Sequence, residues 1–208
     1  MRVVVFGASG GVGSQAVAAA VAQGMEVVAV ARSRPAVPAE VESVAMDVRD
    51  AAAVQTVLRG SDAVLWCIGV TKRSGPDVGR RAMPHVVAAA QEHGVERLVS
   101  VSGAGVTLPG DNKTAGARLM SGLTRRLAAD LVQDKEGEHA ILSASSLSWT
   151  EGRPPRLVDR EATGRWALVE HAPGLTAKPV TKADAALGML ELAGSRLWVR
   201  RSPFLVAA

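Results

Sequence analysis

The stretch VVVFGASGGVGSQAVAAAVAQG, at positions 3–24, decides the fold of this chain. Residues 3–6 form a short, continuous apolar run, which is typical of a strand buried on both faces of a parallel sheet. Residues 14–23 are rich in Ala and Val, and Gly24 follows them, which predicts a helix that ends there. The sequence therefore predicts a strand, a tight glycine-rich turn and a helix in immediate succession.

The glycine-rich turn has the spacing GxxGxxG and consists of Gly7, Ala8, Ser9, Gly10, Gly11, Val12 and Gly13. In such a turn the first glycine permits the tight bend, the second lets backbone N–H groups reach a pyrophosphate, and the third allows close packing of helix on strand. The helix N-terminus adds free N–H donors and the positive end of its dipole. No Gly-Lys-Ser/Thr follows, which excludes a Walker-type loop. The turn predicts a dinucleotide site, and the alternative is a plain glycine turn.

Beyond this unit, apolar strands and helices alternate along the first 155 residues. Strands are predicted at residues 26–31, 41–45, 63–68 and 97–101, and from residue 149 to the double proline at 154–155. Helices are predicted from Asp50, as N-cap, to about residue 59, and at residues 76–93. This alternation with short connections is typical of an α/β protein with a doubly wound parallel sheet, the Rossmann fold.

The last hundred residues are less regular, and we expect them to form a small C-terminal substrate lobe on the carboxyl edge of the sheet. Residues 103–116 are predicted to be a loop, followed by helices at 117–132 and 134–146 that are separated by a break near Gln133. A strand at 165–170, a helix at 183–193 capped by Thr181, and a final strand at 197–206 complete the prediction. With no repeat or linker, residues 1–208 are expected to form a single NAD(P)-binding domain.

The tip of the second strand distinguishes between the two nicotinamide dinucleotides. NAD-binding proteins place Asp or Glu there, about 20 residues past the glycines, to accept from the ribose 2′-hydroxyl. Here the strand is followed by Arg32, Ser33 and Arg34, and none of these residues carries a carboxylate. Guanidinium groups at this place can pair with a 2′-phosphate, which predicts NADP(H) rather than NAD(H). The alternative is a pair of solvated loop arginines.

Two further strand ends are expected to contact the cofactor. Asp47 and Val48 follow the third strand, where the carboxylate can accept from the adenine amino group and the next N–H can donate to the ring. A helix-capping role is an equal alternative for Asp47. At the end of the fourth strand, Cys67, Ile68 and Gly69 are expected to let the backbone pass close to the cofactor.

Composition excludes several other classes of protein. The net charge is +4, but the basic residues are scattered and aromatic residues make up 3%, so no platform for stacking bases is present and nucleic-acid binding is not predicted. No apolar run is long enough to span a bilayer, a strand begins at residue 2, and there is a single cysteine, which together predict a cytoplasmic protein. Histidines at 85, 93, 139 and 171 lack metal-ligand spacing, so no metal site is predicted. The serines at 143–148 have no nearby acid–base partner in the sequence.

The chain resembles the atypical short-chain dehydrogenase/reductase proteins. Within them it is most similar to the NAD(P)H-binding, NmrA-like branch that includes biliverdin reductase B, a flavin reductase. The resemblance covers nearly the whole chain. It is carried by the glycine-rich turn and by the segments DVRD at 47–50, GVERLVSVS at 94–102, DK at 134–135 and WTEGRPPRL at 149–157.

The resemblance implies roles for residues in the second half of the chain. Ser102 would face the nicotinamide, and Pro154, Pro155 and Arg156 would line the pocket for the nicotinamide and the substrate. Lys135 falls where these reductases keep a polar residue beside the substrate. The cations Lys135 and Arg156 would suit an anionic acceptor such as a flavin phosphate or a tetrapyrrole propionate, the alternative being ordinary surface cations.

The absence of tyrosine from the sequence limits the chemistry that can be expected. Short-chain dehydrogenases that interconvert carbonyls and alcohols use a Tyr-x-x-x-Lys pair as general acid and support, and this chain has no such pair. Flavin reduction needs no protein acid, because the proton can come from water after the hydride has passed. We therefore expect an NADPH-dependent reductase of a flavin or similar planar acceptor. The alternative is a non-catalytic NADP(H)-binding regulator or sensor, and the sequence leaves the oligomeric state open.

Overall fold

The computed structural model describes residues 1–174 and 177–208, and it has a central parallel sheet of six strands in the order β3-β2-β1-β4-β5-β6. Most connections between these strands contain a helix. The elements are β1 Arg2–Phe6, α1 Gly11–Ala22, β2 Glu26–Ala31, β3 Glu42–Ala45, α2 Ala51–Leu58, β4 Ala63–Trp66, α3 Val78–Glu92, β5 Arg97–Val101, α4 Ala115–Leu127, α5 Ala129–Ala144, β6 Trp149–Gly152, β7 Leu157–Val158, β8 Trp166–Val169, β9 Val180–Thr181, α6 Lys182–Ala193 and β10 Phe204–Ala207.

Strand β1 shows why the sheet is covered on both faces. Its residues Val3 and Val5 pack into one apolar cluster with residues of α1 and α6, whereas Val4 and Phe6 pack into a second cluster with residues of α2 and α3. Side chains alternate between the faces of a strand, so a run without polar residues needs helices on both sides. The predicted doubly wound α/β fold is confirmed.

The order of the strands reverses between β1 and β4. From β1 the chain proceeds outward to β2 and β3, and then crosses back to β4, β5 and β6 on the other side. The connections leave a crevice at the carboxyl ends of β1 and β4, which is where open α/β sheets bind ligands. The turn at residues 7–10 and the ends of β2, β3 and β4 surround this crevice.

Several predicted boundaries differ from those in the structure by one or more residues, and three of the differences are informative. Helix α1 begins at Gly11 rather than at residue 14, so the last glycines of the turn already belong to its first turn. The break between the two long helices lies at Ala128, with φ −139° and ψ 50°, and the predicted break at Gln133 falls inside α5. The last strand contains only Phe204–Ala207, because the positive φ angles of Trp198 and Arg200 turn the chain before it.

The C-terminal third adds two small sheets to the central one. Strands β8 and β10 pair antiparallel, and β7 and β9 pair parallel, each as a two-stranded sheet. Thr181 caps α6 as predicted, accepting from the backbone N–H of Asp184. No helix in the described part of the chain combines the length and apolar character needed to cross a membrane.

Candidate functional site

A cleft lies at the carboxyl ends of β1, β2, β3 and β4, and nine of the predicted cofactor residues line it. These nine are Gly7, Ser9, Gly10, Arg32, Asp47, Val48, Cys67, Ile68 and Gly69. The structure adds five lining residues for which the sequence suggested no role: Ala31, Arg49, Thr71, Ser74 and Val78. The fold thus brings four separate strand ends around one crevice.

The glycine-rich turn is shaped by close backbone contacts. Gly7 has φ +81°, and a Cβ atom there would lie 2.7 Å from the carbonyl oxygen of Cys67, so a side chain would be strained and crowded. A Cβ on Gly13 would overlap the carbonyl group of Gly7. Ala8 and Val12 are buried beneath the turn. Only glycine therefore allows α1 to begin this close to β1.

The N-terminus of α1 offers donors to a ligand. Its N-cap residue is Gly10, which has no side chain to cap the helix, and its first turn contains no acidic residue. First-turn N–H groups of a helix have no partner within the helix, and together with the dipole they attract anions. Because Gly10 lines the cleft, this end of α1 fits the pyrophosphate of a dinucleotide.

Arg32 stands in the cleft at the end of β2. Its Nη1 atom donates to the carbonyl oxygen of Arg73, and Arg32 is among the residues that line the cleft. Ser33 and Arg34 are exposed beyond the strand and are not among the residues that line the cleft. The structure therefore brings one of the two predicted arginines to the site.

Asp47 and Arg49, which both line the same cleft, form an ion pair. The Nε of Arg49 lies 2.9 Å from Oδ1 of Asp47, and Nη2 lies 2.6 Å from Oδ2. These hydrogen bonds lower the pKa of Asp47 to about 2, with a smaller contribution from the charge of Arg32. The capping alternative for Asp47 is wrong, because Asp50 accepts from the N–H groups at the start of α2. In the sequence, Arg49 was singled out only by its place in the segment DVRD at 47–50.

Lys135 lies behind the wall of the cleft and not in an open pocket. It is 4% exposed, and its Nζ donates to the carbonyl oxygen of Ile68 at 2.7 Å and to the two carboxylate oxygens of Glu138 at 2.9 and 3.1 Å. Burial raises the pKa of Glu138 to about 7, although the charge of Lys135 acts in the opposite direction. In this arrangement Lys135 holds the end of β4, whereas the family resemblance implied contact with an acceptor.

Asp134, next to Lys135, links α5 to the start of α3. Its carboxylate accepts from the N–H groups of Gly79 and Arg80 at 3.0 and 2.9 Å. The N-cap residue of α3, Asp77, makes no capping hydrogen bond with its own side chain. Asp134, 55 positions after Gly79, therefore supplies the cap, and this fixes α5 against α3.

Ser102 follows β5 and is joined to the loop after β6. Its N–H donates to the carbonyl oxygen of Gly152, and the N–H of Ala104 donates to that of Pro154, both at 2.9 Å. The Oγ atom of Ser102 is buried and has no hydrogen-bond partner among the described residues. A buried hydroxyl without a partner suits a site whose ligand supplies the missing polar atom.

A second cavity lies between the loops after β5 and β6 and helix α4. Pro155 and Arg156 line it, whereas Pro154 is buried and Ser102 lies outside its lining. The other lining residues are mainly small or apolar: Ala104, Gly105, Ala117, Met120, Thr124, Ala172, Pro173, Gly174 and Ala177. Among the described residues that line this cavity, Arg156 has the one charged side chain.

Ser143 has acid–base partners that the sequence analysis did not find. Its Oγ lies 3.2 Å from Nε2 of His139, and Nδ1 of His139 lies 2.5 Å from Oε2 of the buried Glu151. The prediction of no such partners is therefore wrong. Ser143 lies in the last turn of α5, where carbonyl oxygens end the helix, and these oppose the negative charge of an oxyanion. We assign no hydrolytic role to this group.

Comparison with known proteins identifies one family and several similar structures. A family model described as NAD(P)H-binding matches residues 7–196. An uncharacterized protein of Mycobacterium tuberculosis is 38% identical over 103 residues, which cover 49% of this chain but only 12% of that protein. The chain therefore corresponds to a small part of this much longer relative.

Three solved structures share the fold over nearly their whole length. The anaerobilin reductase ChuY of Escherichia coli O157:H7 has a TM-score of 0.77 and 22% identity, covering 100% of this chain and 97% of ChuY. A candidate NADH-flavin reductase of Streptococcus pneumoniae has a TM-score of 0.77 and 21% identity, covering 100% of both chains. A short-chain dehydrogenase/reductase of Veillonella parvula, in complex with NADP, has a TM-score of 0.79 and 15% identity, covering 99% and 94%.

Proposed function

Because this chain belongs to the NAD(P)H-binding family, we propose that it is an NADPH-dependent reductase that passes hydride to a flavin or a similar planar acceptor. The observation that carries the proposal is the cleft at the strand-order reversal, where the free N-terminus of α1 and the guanidinium of Arg32 lie along one opening. We also propose that residues 1–208 act as one domain, in the cytoplasm.

The cleft offers separate contacts to the parts of an NADP(H) molecule. The N–H groups at the start of α1 donate to the pyrophosphate, while Arg32 pairs with the 2′-phosphate. Arg49 neutralises Asp47, which is the one carboxylate among the described residues that line the cleft, so it would repel the 2′-phosphate little. Asp47 and Val48 remain the proposed contacts of the adenine. This distribution favours NADPH over NADH, because only NADPH places a charge beside Arg32.

The second cavity is the proposed acceptor site. Its small and apolar lining suits the face of a conjugated ring, and Arg156 at its edge suits an anionic substituent of that ring. Two similar structures support a planar acceptor by their names, since one is an anaerobilin reductase and another a candidate NADH-flavin reductase. The unpartnered hydroxyl of Ser102 is the proposed contact of the nicotinamide end.

The proposed reaction requires the protein mainly to position the two ring systems and to exclude competing reactions. A reduced nicotinamide supplies the hydride, and the acceptor can take its proton from water. The loops after β5 and β6, joined through Ser102 and Ala104, form the wall against which the two ring systems would stack. The chain has no tyrosine, so no step is assigned to a Tyr-x-x-x-Lys pair.

One observation favours the alternative, an NADP(H)-binding sensor without turnover. Lys135 is buried and its three contacts are internal, so it offers no charge to an acceptor in this conformation. Of the two cations expected to bind an acceptor, Lys135 and Arg156, it is Arg156 that is exposed.

The deciding experiment measures the oxidation of NADPH with FMN as acceptor. The absorbance of the reduced nicotinamide is monitored, and NADH is tested in a parallel assay. Turnover that prefers NADPH would support both the reductase and the role of Arg32. Binding of NADPH without turnover, with FMN and also with a linear tetrapyrrole, would favour the sensor.

A further inference from the structure

Lys182, the first residue of α6, covers the start of α1. A Cβ atom placed on Gly11 would lie 2.6 Å from Cδ, 2.7 Å from Nζ and 2.8 Å from Cε of Lys182. The lysine side chain therefore occupies the space that a side chain at position 11 would fill. Helices α1 and α6 pack against one another, and Gln15 and Ala183 line one shallow cavity, so both helices begin near the same edge of the sheet.

The position of the Lys182 ammonium group is electrostatically unfavourable unless an anion binds beside it. It lies at the N-termini of two helices, where the dipoles favour negative and not positive charge. Asp184, in the first turn of α6, is occupied by the N–H groups of Thr163 and Gly164 and by the hydroxyl of Thr163. Among the described residues, the acidic partner of Lys182 is Asp159, at 2.7 Å.

The pair between Lys182 and Asp159 is a weak one. The side chain of Asp159 is 82% exposed and that of Lys182 is 28% exposed. Exposed ion pairs contribute little, because water and salt screen them and two flexible side chains must be ordered. The lysine can therefore exchange Asp159 for a stronger anion at small cost.

We propose that Lys182 is a ligand of the dinucleotide pyrophosphate, held by Asp159 until the dinucleotide binds. The proposal rests on the proposed cofactor site and adds to it the cation that the glycine-rich turn lacks, since residues 7–13 carry no charge. Asp159 acts as a competitor for the lysine. Lys182 thus contributes affinity common to NADPH and NADH, in contrast to Arg32, which lies at the 2′-position.

The test measures dissociation constants by calorimetry for NADPH, NADH, ADP-ribose and adenosine 2′-monophosphate. Lys182→Gln should weaken the first three by about tenfold, as expected for a lost charge-assisted hydrogen bond, and leave adenosine 2′-monophosphate unchanged. Asp159→Asn should tighten the first three by about two- to threefold, because it releases the lysine. Arg196→Gln, an exposed cation just beyond the other end of α6, is the matched control and should change none of the four.

We expect Lys182→Gln to weaken dinucleotide binding and Asp159→Asn to strengthen it. A purely structural ion pair would not give opposite effects. If Lys182→Gln leaves ADP-ribose binding unchanged, or if both variants weaken it equally, Lys182 is not a pyrophosphate ligand while the proposed function stands. If Lys182→Gln weakens adenosine 2′-monophosphate as much as ADP-ribose, the assignment to the pyrophosphate is overturned. If the unmodified protein binds none of the dinucleotides, the proposed function falls as well. Thermal unfolding of each variant shows that it is folded.

Discussion

Lys135 donates a 2.7 Å hydrogen bond to the carbonyl oxygen of Ile68, 67 positions earlier in the chain. This contact joins α5 to the end of β4, where the backbone forms a wall of the cofactor cleft. The same ammonium group pairs with the fully buried Glu138. Lys135, for which the family resemblance implies a place beside the substrate, thus makes its described contacts inside the protein, at the wall of the cleft.

Loss of the Lys135 ammonium should destabilise the fold. Lys135→Met removes the donor to Ile68 and leaves Glu138 buried without its counter-ion, so we expect the free energy of unfolding to fall by about 3 kcal/mol at pH 8. Urea titration measures it. The double variant Lys135→Met/Glu138→Leu should recover most of the loss, because no charge is then left unpaired. A double variant as unstable as the single one would contradict this account.

Glu138 should make stability depend on pH. Burial raises its pKa from 4.5 to about 7 in the folded chain. Between these values the folded chain holds a proton that the unfolded chain has lost, so the free energy of unfolding falls as the pH rises, by on the order of 2 to 3 kcal/mol. Glu138→Gln should flatten this slope in urea titrations from pH 4.5 to 7. An unchanged slope in the variant would assign it to other groups.

Arg32 should determine the preference for the phosphorylated dinucleotide. Arg32→Ala removes charge-assisted hydrogen bonds to the 2′-phosphate, so the dissociation constant of NADPH should rise by roughly 10- to 100-fold while that of NADH changes little. Calorimetric titration of both dinucleotides measures the difference. Arg34→Ala is the matched control, since Arg34 is exposed and lies outside the cleft. Equal losses for NADPH and NADH would remove the 2′-phosphate assignment.

Arg156 should act on the acceptor and not on the cofactor. Arg156→Ala removes the cation at the edge of the second cavity, so kcat/KM for FMN should fall about tenfold, with the dissociation constant of NADPH nearly unchanged. Steady-state kinetics at saturating NADPH, with calorimetry alongside, separates the two effects. Arg160→Ala, another exposed arginine four residues away, should leave both quantities unchanged. A large loss of NADPH affinity in Arg156→Ala would place Arg156 at the cofactor.

Alanine substitutions at two glycines of the turn should have different effects on stability. Gly13→Ala puts a methyl group against the carbonyl of Gly7, and we expect the free energy of unfolding to fall by about 3 kcal/mol. At Gly10 the nearest atom to an added Cβ is the oxygen of Gly7, at 3.1 Å, so Gly10→Ala should fold and lose mainly dinucleotide affinity. Thermal unfolding with calorimetry distinguishes the two. Equal stability of both variants would contradict the close approach of α1 to β1.

The sequence predicted the local structure well where one element carries its own signal. Strands β2 and β5 lie at the predicted residues, and Asp50 and Thr181 cap their helices as expected. It failed at Gln133, because the break between α4 and α5 depends on how two helices cross and not on a Gly or Pro. It also failed at Ser143, which contacts His139, because the carboxylate that pairs with His139 is that of Glu151, on the central sheet.

By itself, the sequence determined the doubly wound sheet and the glycine-rich turn. Both follow from short-range facts: apolar strands need cover on two faces, and a helix can start this close to a strand only on glycines. Tertiary structure alone decided which cations meet the cleft. Arg32 and Arg49 reach it, Arg34 does not, Lys135 is buried behind it and Lys182 lies over Gly11, because the position of a long side chain is set by partners far away in the sequence.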